Sequence, residues 1–279
     1  MTSPGPQRLE TDVDGGRMQA VLVDPAQVTT GVLAQLASCD AVHSVSVGLE
    51  VLPRCVRSSG HLAGRGQPSR SSALAVVGED GDVIEDVQAL WDGQAATFDK
   101  EADHGLRDPT VRAAWAALLL PLLPKAPATV ADLGCGTGSL AVLLAEVGHS
   151  VQGMDVSPRM VEVARQKALT AGVHVRLEQG DAVTPAYAPG SCDVVLARHL
   201  LWALPDPGSV LARWVRLLRP AGILILIEGR WSTGGGISAA DCQGLVLQQR
   251  QEALVHQLDE PAFWGRDIVD ERYLLLSRR

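Results

Sequence analysis

The stretch of the chain best suited to chemistry is a loop in which glycines alternate with other residues between two acidic residues. Asp132 precedes Gly134, Gly136 and Gly138, and Asp155 follows them. Glycine has no Cβ and tolerates positive φ, so a ligand can lie directly against such a backbone. If a helix begins there, its first N–H groups are free to donate hydrogen bonds. The pattern predicts a binding site for a nucleotide-like cofactor.

The spacing of the glycines discriminates between classes of cofactor. A dinucleotide site has the pattern Gly-x-Gly-x-x-Gly, whereas here the third glycine comes one residue early and Ser139 stands in its place. A P-loop requires a Lys-Ser/Thr pair after the glycines, and the sequence has none. The spacing therefore disfavours a nicotinamide-dependent reductase.

Alternating strands and helices position this loop. Apolar strands are predicted at ATVADL, SVQGMD, VHVRLEQGD, CDVVLAR and GILILIEG, with helices between them, the last over DPGSVLARWVRLLRPAG. Two amphipathic helices, WDGQAATFDKEADHG and DPTVRAAWAALLLPLLP, are predicted before the first strand. Fully apolar strands that alternate with helices indicate a doubly wound, mostly parallel sheet, which binds ligands at the carboxyl ends of its strands. The final segments, EALVHQLDE and ERYLLLSRR, predict an antiparallel hairpin that closes the sheet. The predicted fold class is α/β.

The pattern Asp-x-Gly-x-Gly-x-Gly, with these elements in order, resembles the class I S-adenosylmethionine (SAM)-dependent methyltransferases. The resemblance covers residues 86–279 and is closest to small-molecule methyltransferases of the quinone-biosynthesis (methyltransferase-11) type. It implies a seven-stranded Rossmann-like sheet, SAM as cofactor and S-adenosylhomocysteine (SAH) as product. It implies that Asp155 holds the ribose hydroxyls and that Asp181 accepts from the adenine amino group. The cofactor-binding set that it implies is Asp132, Gly134, Cys135, Gly136, Gly138, Asp155, Val156, Asp181, Ala182 and Arg198.

One departure concerns the helix before the first strand. Many relatives carry a Tyr-Asp pair there, and this chain has Phe98-Asp99. The missing hydroxyl puts the contacts of this segment with the cofactor tail in doubt.

The acceptor is expected between the loop after the fourth strand, the loop after the fifth and a lid at Trp91 to Arg107. His199 is the first choice for the proton acceptor, because an imidazole titrates near working pH, and His104 is the second. Both also have a purely structural interpretation. Trp202, Glu228 and Trp231 are predicted substrate contacts, although Glu228 could instead pair with Arg230. The remaining histidines lack metal-ligand spacing, so no metal is predicted.

The first 85 residues differ from the rest, since they contain no aromatic residue and no lysine. Because aromatic residues dominate core energetics, residues 1–85 are interpreted as a weakly folded or disordered extension. Residues 57–72, rich in Gly, Ser and Arg, are predicted to be a linker. Residues 86–279 form the predicted methyltransferase domain.

The composition of the chain limits the kinds of partner and the location that can be expected for it. The net charge of −8 argues against a nucleic-acid partner. No apolar run approaches the roughly 20 residues of a membrane span, and the start does not look like a secretory signal. The five cysteines are scattered, without a Cys-x-x-Cys pair. A cytoplasmic protein, monomeric or homodimeric, with no membrane partner is expected.

The predicted function is SAM-dependent methyl transfer to oxygen or nitrogen of a small molecule. The alternatives are methylation of a protein or RNA, and a non-catalytic SAM-binding regulatory protein. Asp155 and Asp181 do not separate these, since both are expected to bind only the cofactor.

Overall fold

A computed structural model of the chain describes residues 8–13, 16–21, 80–232 and 234–278. The chain divides into two compact units, residues 1–58 and 59–279. The first contains an antiparallel hairpin of β1 (Arg8–Val13) and β2 (Gly16–Val21). The predicted linker at 57–72, and the disorder predicted for most of residues 1–85, lie outside the described residues.

The second unit is built on one seven-stranded sheet, which confirms the predicted fold class. The strand order is β5-β4-β3-β6-β7-β9-β8, with β9 antiparallel to both of its neighbours and the remaining pairs parallel. Its strands are β3 (Thr129–Leu133), β4 (Ser150–Asp155), β5 (Arg176–Gln179), β6 (Cys192–Arg198), β7 (Leu218–Arg230), β8 (Leu254–Gln257) and β9 (Glu271–Ser277).

Helices cover both faces of this sheet. They are α1 (Asp80–Gln94), α2 (Ala102–Gly105), α3 (Pro109–Leu119), α4 (Ser139–Glu146), α5 (Pro158–Thr170), α6 (Pro207–Leu217) and α7 (Ala239–Leu247). None of the helices in the described residues combines the length and the hydrophobicity that a bilayer crossing requires.

The alternation of side chains along β6 explains the two-sided core. Val194 and Leu196 belong to the cluster that contains Trp115 of α3, whereas Val195 belongs to the cluster around Trp214 of α6. All five are buried. A strand buried on both faces must be apolar throughout, which is why CDVVLAR predicts a strand correctly.

Helix starts follow the predicted capping chemistry. The Ser157 side chain accepts from the amide of Met160 at the start of α5, and Pro158 occupies the first helical position. Asp108 caps α3 in the same way, with Pro109 first in the helix. These caps fix where each helix leaves the edge of the sheet that carries the glycine loop.

The segment before α3 differs from the prediction of two amphipathic helices. The first helix spans Asp80–Gln94, so the predicted domain start at residue 86 falls inside it. The chain then forms a 3₁₀ turn at Phe98–Lys100 and the short α2. Tertiary contacts explain the change, because Asp99 is bonded to the distant Lys167 and sequence periodicity does not register such contacts.

Two further predicted boundaries are wrong. The helix predicted over DPGSVLARWVRLLRPAG ends at Leu217, and β7 begins at Leu218. Pro220 lacks an N–H and disfavours helical geometry in the residue before it, which explains the early end of the helix. On the other side of the sheet, β5 is limited to Arg176–Gln179.

Candidate cofactor and acceptor site

The glycine loop joins β3 to α4, and all three of its glycines need positive φ. Their φ values are 67°, 53° and 74° for Gly134, Gly136 and Gly138. A Cβ on Gly134 would lie 2.7 Å from a methyl group of Leu200, and one on Gly136 would lie 3.3 Å from the Phe98 ring. The bare backbone therefore faces the loop after β6 and the predicted lid, as a ligand-binding loop should.

Gly138 and Cys135 pack against α5 and β4, not against the loop after β6. A Cβ on Gly138 would lie 2.8 Å from the Cβ of Ala164, so this glycine is needed for the close approach of α5. The Cys135 sulfur lies 3.1 Å from the point where Gly153 of β4 would carry a Cβ. Burial raises the pKa of the Cys135 thiol well above its usual value. The interpretation as a small packing residue fits this environment better than a reactive thiol does.

Asp155 ends β4 and joins it to the glycine loop. One carboxylate oxygen accepts from the amide of Gly136 at 2.9 Å, and the other accepts from the amide of Ser157 at 2.9 Å. Burial raises the pKa of Asp155, although these hydrogen bonds oppose the shift. Each oxygen has further lone pairs, so the carboxylate can still accept from the two hydroxyls of a diol.

Asp181, Ala182 and Val156 lie at the ends of the neighbouring strands. Asp181 accepts from the amide of Val183 at 2.8 Å, and the Ala182 carbonyl accepts from the indole of Trp214 at 2.7 Å. The Val156 carbonyl accepts from the side-chain amide of Gln179, with the N and O atoms 3.3 Å apart. These bonds fix the backbone that follows β4 and β5.

Asp132 and Arg198 lie deeper in the site. Asp132 is buried, and one of its oxygens has no hydrogen-bond partner in the described residues. Burial raises the pKa of Asp132 to about 7, against the opposing charge of Arg198. The guanidinium of Arg198 donates to the carbonyl of Asp103 at 2.6 Å and lies over the Trp115 ring. Direct cofactor contact by Arg198 therefore stays a prediction.

A buried polar network fastens the lid to the glycine loop. Lys167 of α5 donates to Asp99 at 3.0 Å, to Thr137 at 3.1 Å and to Ser139 at 2.6 Å. Burial raises the pKa of Asp99, but hydrogen bonds from Thr137 and Lys167 outweigh it and leave the pKa lowered. Sequence reasoning missed this network, because Lys167 and Asp99 are far apart in the chain.

Glu228 holds the loop after β6 in place. Its carboxylate accepts from the amides of Leu200 and Leu201 at 3.0 and 2.7 Å, and the residue is fully buried. Burial raises its pKa to about 8. The suggested ion pair with the exposed Arg230 is therefore wrong. Glu228 positions the loop after β6, and its contact with a substrate stays a prediction.

The predicted lid and both acceptor loops meet in a set of rings that we call the aromatic cluster. His104 stacks on Phe98 at 4.2 Å between ring centres and lies 6.4 Å from His199. The ring of His199 lies 5.5 Å from Trp231, which lies 5.1 Å from Trp202. The aromatic cluster thus brings the two predicted catalytic histidines close in space to the predicted substrate contacts Trp202 and Trp231.

The environment of His199 contradicts the reason for predicting this residue as the proton acceptor. Burial, and then the positive charge of Arg198, lower the pKa of His199 well below its usual value, and burial lowers the pKa of His104. An imidazole that titrates near working pH is therefore not what the fold provides. The Nε2 of His199 is buried without a hydrogen-bond partner in the described residues.

Three more residues of this region escaped sequence reasoning. Trp264 stacks on His199 at 5.9 Å, and the buried guanidinium of Arg272 lies 5.0 Å from the Trp264 ring centre. The Arg272 side chain also donates to Asp270 at 3.1 Å. Asp103 lies beside His104, with 3.5 Å between Oδ2 and Nε2. A charged residue at the head of the apolar strand RYLLL was the only signal for Arg272.

Comparison with known proteins places this geometry in a family. Residues 131–226 match the model of a family described as a methyltransferase domain. The chain is 40% identical over 113 residues to the ubiquinone biosynthesis O-methyltransferase of Thiobacillus denitrificans, which covers 40% of this chain and 47% of that protein. It is 36% identical over 108 residues to the demethylmenaquinone methyltransferase of Thermus thermophilus, covering 38% and 49%. The chain spans about half the length of the curated relatives it matches.

Solved structures agree on the fold. Geranyl diphosphate methyltransferase in complex with SAM superposes with a TM-score of 0.51 at 19% identity, covering 60% of this chain and 85% of that one. The cyclase SpnF gives a TM-score of 0.52 at 18% identity, covering 60% and 80%. Because a cyclase shares the architecture, the fold alone does not decide the reaction. Residues 131–226 therefore match a methyltransferase domain, and the seven-stranded sheet around them has the fold of a SAM-dependent methyltransferase.

Proposed function

We propose that the protein transfers the methyl group of SAM to an oxygen or nitrogen of a small-molecule acceptor. The observation that carries the proposal is the 2.9 Å hydrogen bond from the Gly136 amide to Asp155, which joins the glycine loop to the acid at the end of β4. The ubiquinone and demethylmenaquinone names of the relatives favour a small aromatic acceptor. The net charge of −8 favours it over RNA.

The residues present fit SAM. Asp155 has lone pairs free for the ribose diol, and Asp181 stands after the next strand for the adenine amino group. The orphaned oxygen of Asp132 offers a further acceptor beneath the glycine loop. When bound, SAM supplies an electrophilic methyl group on a positively charged sulfur.

The chain's own residues then orient the acceptor and exclude water. The aromatic cluster offers flat apolar walls for a ring, and Glu228 fixes the loop that carries His199. Alignment of this kind can account for much of the acceleration of a displacement reaction. We place the reacting oxygen or nitrogen of the acceptor beside His199 and His104, since the buried Nε2 of His199 has no protein partner within the described residues.

A turnover assay tests the proposal. The full chain, SAM and a panel of small phenols, catechols and amines should release SAH. His199→Ala should lower turnover by about 10²–10⁴-fold while SAM affinity stays within a few fold. His174→Ala, on an exposed loop residue, is the matched control. Absence of SAH release with every acceptor class would contradict small-molecule methyl transfer.

We further propose that the protein works in the cytoplasm as a monomer or homodimer. The scattered cysteines support a reducing compartment. Cell fractionation and light scattering on the purified chain test these two points. Recovery in the membrane fraction, or a larger assembly, would contradict them.

A further inference from the structure

We infer that Asp103, His104 and His199 form a binding site for a divalent transition-metal ion of the zinc class. In the part of the chain that the structure describes, these residues offer one ligand atom each, and the three atoms lie within 4.8 Å of one another. Ligands around a tetrahedral zinc ion are about 3.4 Å apart, because each bond is about 2.1 Å. Closing the site therefore requires movements of about 1 Å, which side-chain rotation can supply.

Two unpaired nitrogens point to an ion. His104 Nδ1 and His199 Nε2 are both buried and have no hydrogen-bond partner among the described residues. Buried polar atoms in folded proteins nearly always have a partner. The unpaired Nε2 of His199 and the buried carboxylate of Asp103, which lies 3.5 Å from His104 Nε2, are donors that a bound cation would satisfy.

The supports around these side chains resemble those of metal sites. The amide of His199 donates to the carbonyl of Ile227 at 2.8 Å, and the carbonyl of His199 accepts from Trp202 at 3.2 Å. Arg198 bonds the carbonyl of Asp103 and leaves its carboxylate available. These bonds fix the backbone positions of two of the three proposed ligands.

Nearby positive charges do not prevent binding. The Arg272 guanidinium is paired with the carboxylate of Asp270. The charge of Arg198 is opposed by the carboxylates of Asp103 and Asp132. The site therefore does not carry two uncompensated cations.

The donor types select the ion and suggest its use. Two imidazoles and a carboxylate suit Zn²⁺, Co²⁺ or Fe²⁺ better than Mg²⁺ or Ca²⁺. Three protein ligands leave a position open. An acceptor hydroxyl at that position loses its proton to solvent more readily, and its oxygen then bonds to the methyl carbon as the carbon–sulfur bond of SAM breaks. This role rests on the proposed function, whereas ion binding does not.

Cobalt titration tests the site. The untagged full chain, first stripped with a chelator, should bind one Co²⁺ per chain and show the visible absorption of a low-symmetry cobalt complex. His104→Gln, His199→Gln and Asp103→Asn should each weaken binding at least tenfold, with melting curves and SAH affinity showing that each variant is folded. His174→Gln should bind like the wild type.

Two results would overturn the inference. The first is the absence of a one-to-one complex with either Co²⁺ or Zn²⁺, or a complex that His104→Gln and His199→Gln leave unchanged. The second, full turnover in protein shown by elemental analysis to be metal-free, would overturn the role of the ion in methyl transfer but not its binding. If no acceptor is turned over, the cobalt titration still decides whether the site exists.

Discussion

Glu228 is a buried acid that binds two backbone amides, and burial raises its pKa to about 8 from an ordinary value of 4.5. The folded state therefore keeps its proton to higher pH than the unfolded state. The stability that depends on this proton is fully present below about pH 4.5 and is lost as the pH rises to about 8. Glu228→Gln does not titrate, so the variant should gain stability relative to the wild type across this window.

The gain should be about 2–5 kcal/mol between pH 5 and pH 9, since each unit of pKa shift corresponds to about 1.4 kcal/mol and relaxation of the site lowers the full value. Denaturant unfolding at a series of pH values measures it. Glu162→Gln, on an exposed residue of α5, should show no such trend. A difference between Glu228→Gln and wild type that is constant with pH would contradict the burial argument.

The hydrogen bonds of Lys167 lead to a second testable prediction. Lys167→Met removes three hydrogen bonds and leaves the buried carboxylate of Asp99 with the exposed Arg107 as its charged partner. The free energy of unfolding should fall by about 2–4 kcal/mol, as when one partner of a buried pair is lost. The double variant Lys167→Met/Asp99→Asn should recover part of the loss.

Lys100→Met is the control for Lys167→Met, because Lys100 is exposed on the 3₁₀ turn that carries Asp99. Its unfolding free energy should stay within about 0.5 kcal/mol of wild type. An equally small effect of Lys167→Met in denaturant unfolding would show that the network does not fasten the lid.

At the scale of elements, β9 is the strand on which the sheet most depends. It lies between β7 and β8, and its residues Tyr273–Leu276 are buried. Burial of each such side chain contributes about 1.5–3 kcal/mol, so their sum rivals the whole stability of a domain. Deletion of residues 273–279 should cause aggregation on expression. Deletion of residues 278–279 alone should leave a folded protein, and gel filtration distinguishes the two outcomes.

The elements also show where sequence patterns succeed. SVQGMD and CDVVLAR predict β4 and β6 to the residue, because apolar or small residues that are buried in the sheet form most of each segment. The lid region around Phe98 is predicted poorly, since its contacts with the glycine loop and Lys167 override local helix propensity. For the candidate site, the sequence predicts which loops are expected to meet, but not the lowered pKa of His199, which depends on its burial and on the charges of Arg198, His104 and Arg272.

At the scale of the whole molecule, the extension is predicted to be dispensable. Helix α1 carries Asp92, which accepts from the Ser157 hydroxyl and from the Arg159 amide, so a truncation must start no later than Asp80. Residues 80–279 alone should bind SAH with the affinity of the full chain. Gel filtration and calorimetry measure this. Insolubility or loss of SAH binding would place the first 79 residues in the working domain.

The central claim is that Asp155 and the glycine loop bind SAM, and calorimetric titration with SAH tests it most directly. The full chain should bind SAH and not NAD. Asp155→Ala and Asp155→Asn should each weaken binding by about 2–3 kcal/mol, the scale of hydrogen bonds to a charged group, while Glu162→Ala should match the wild type. Binding of SAH unchanged in both Asp155 variants, or binding of NAD by the wild type, would contradict the account.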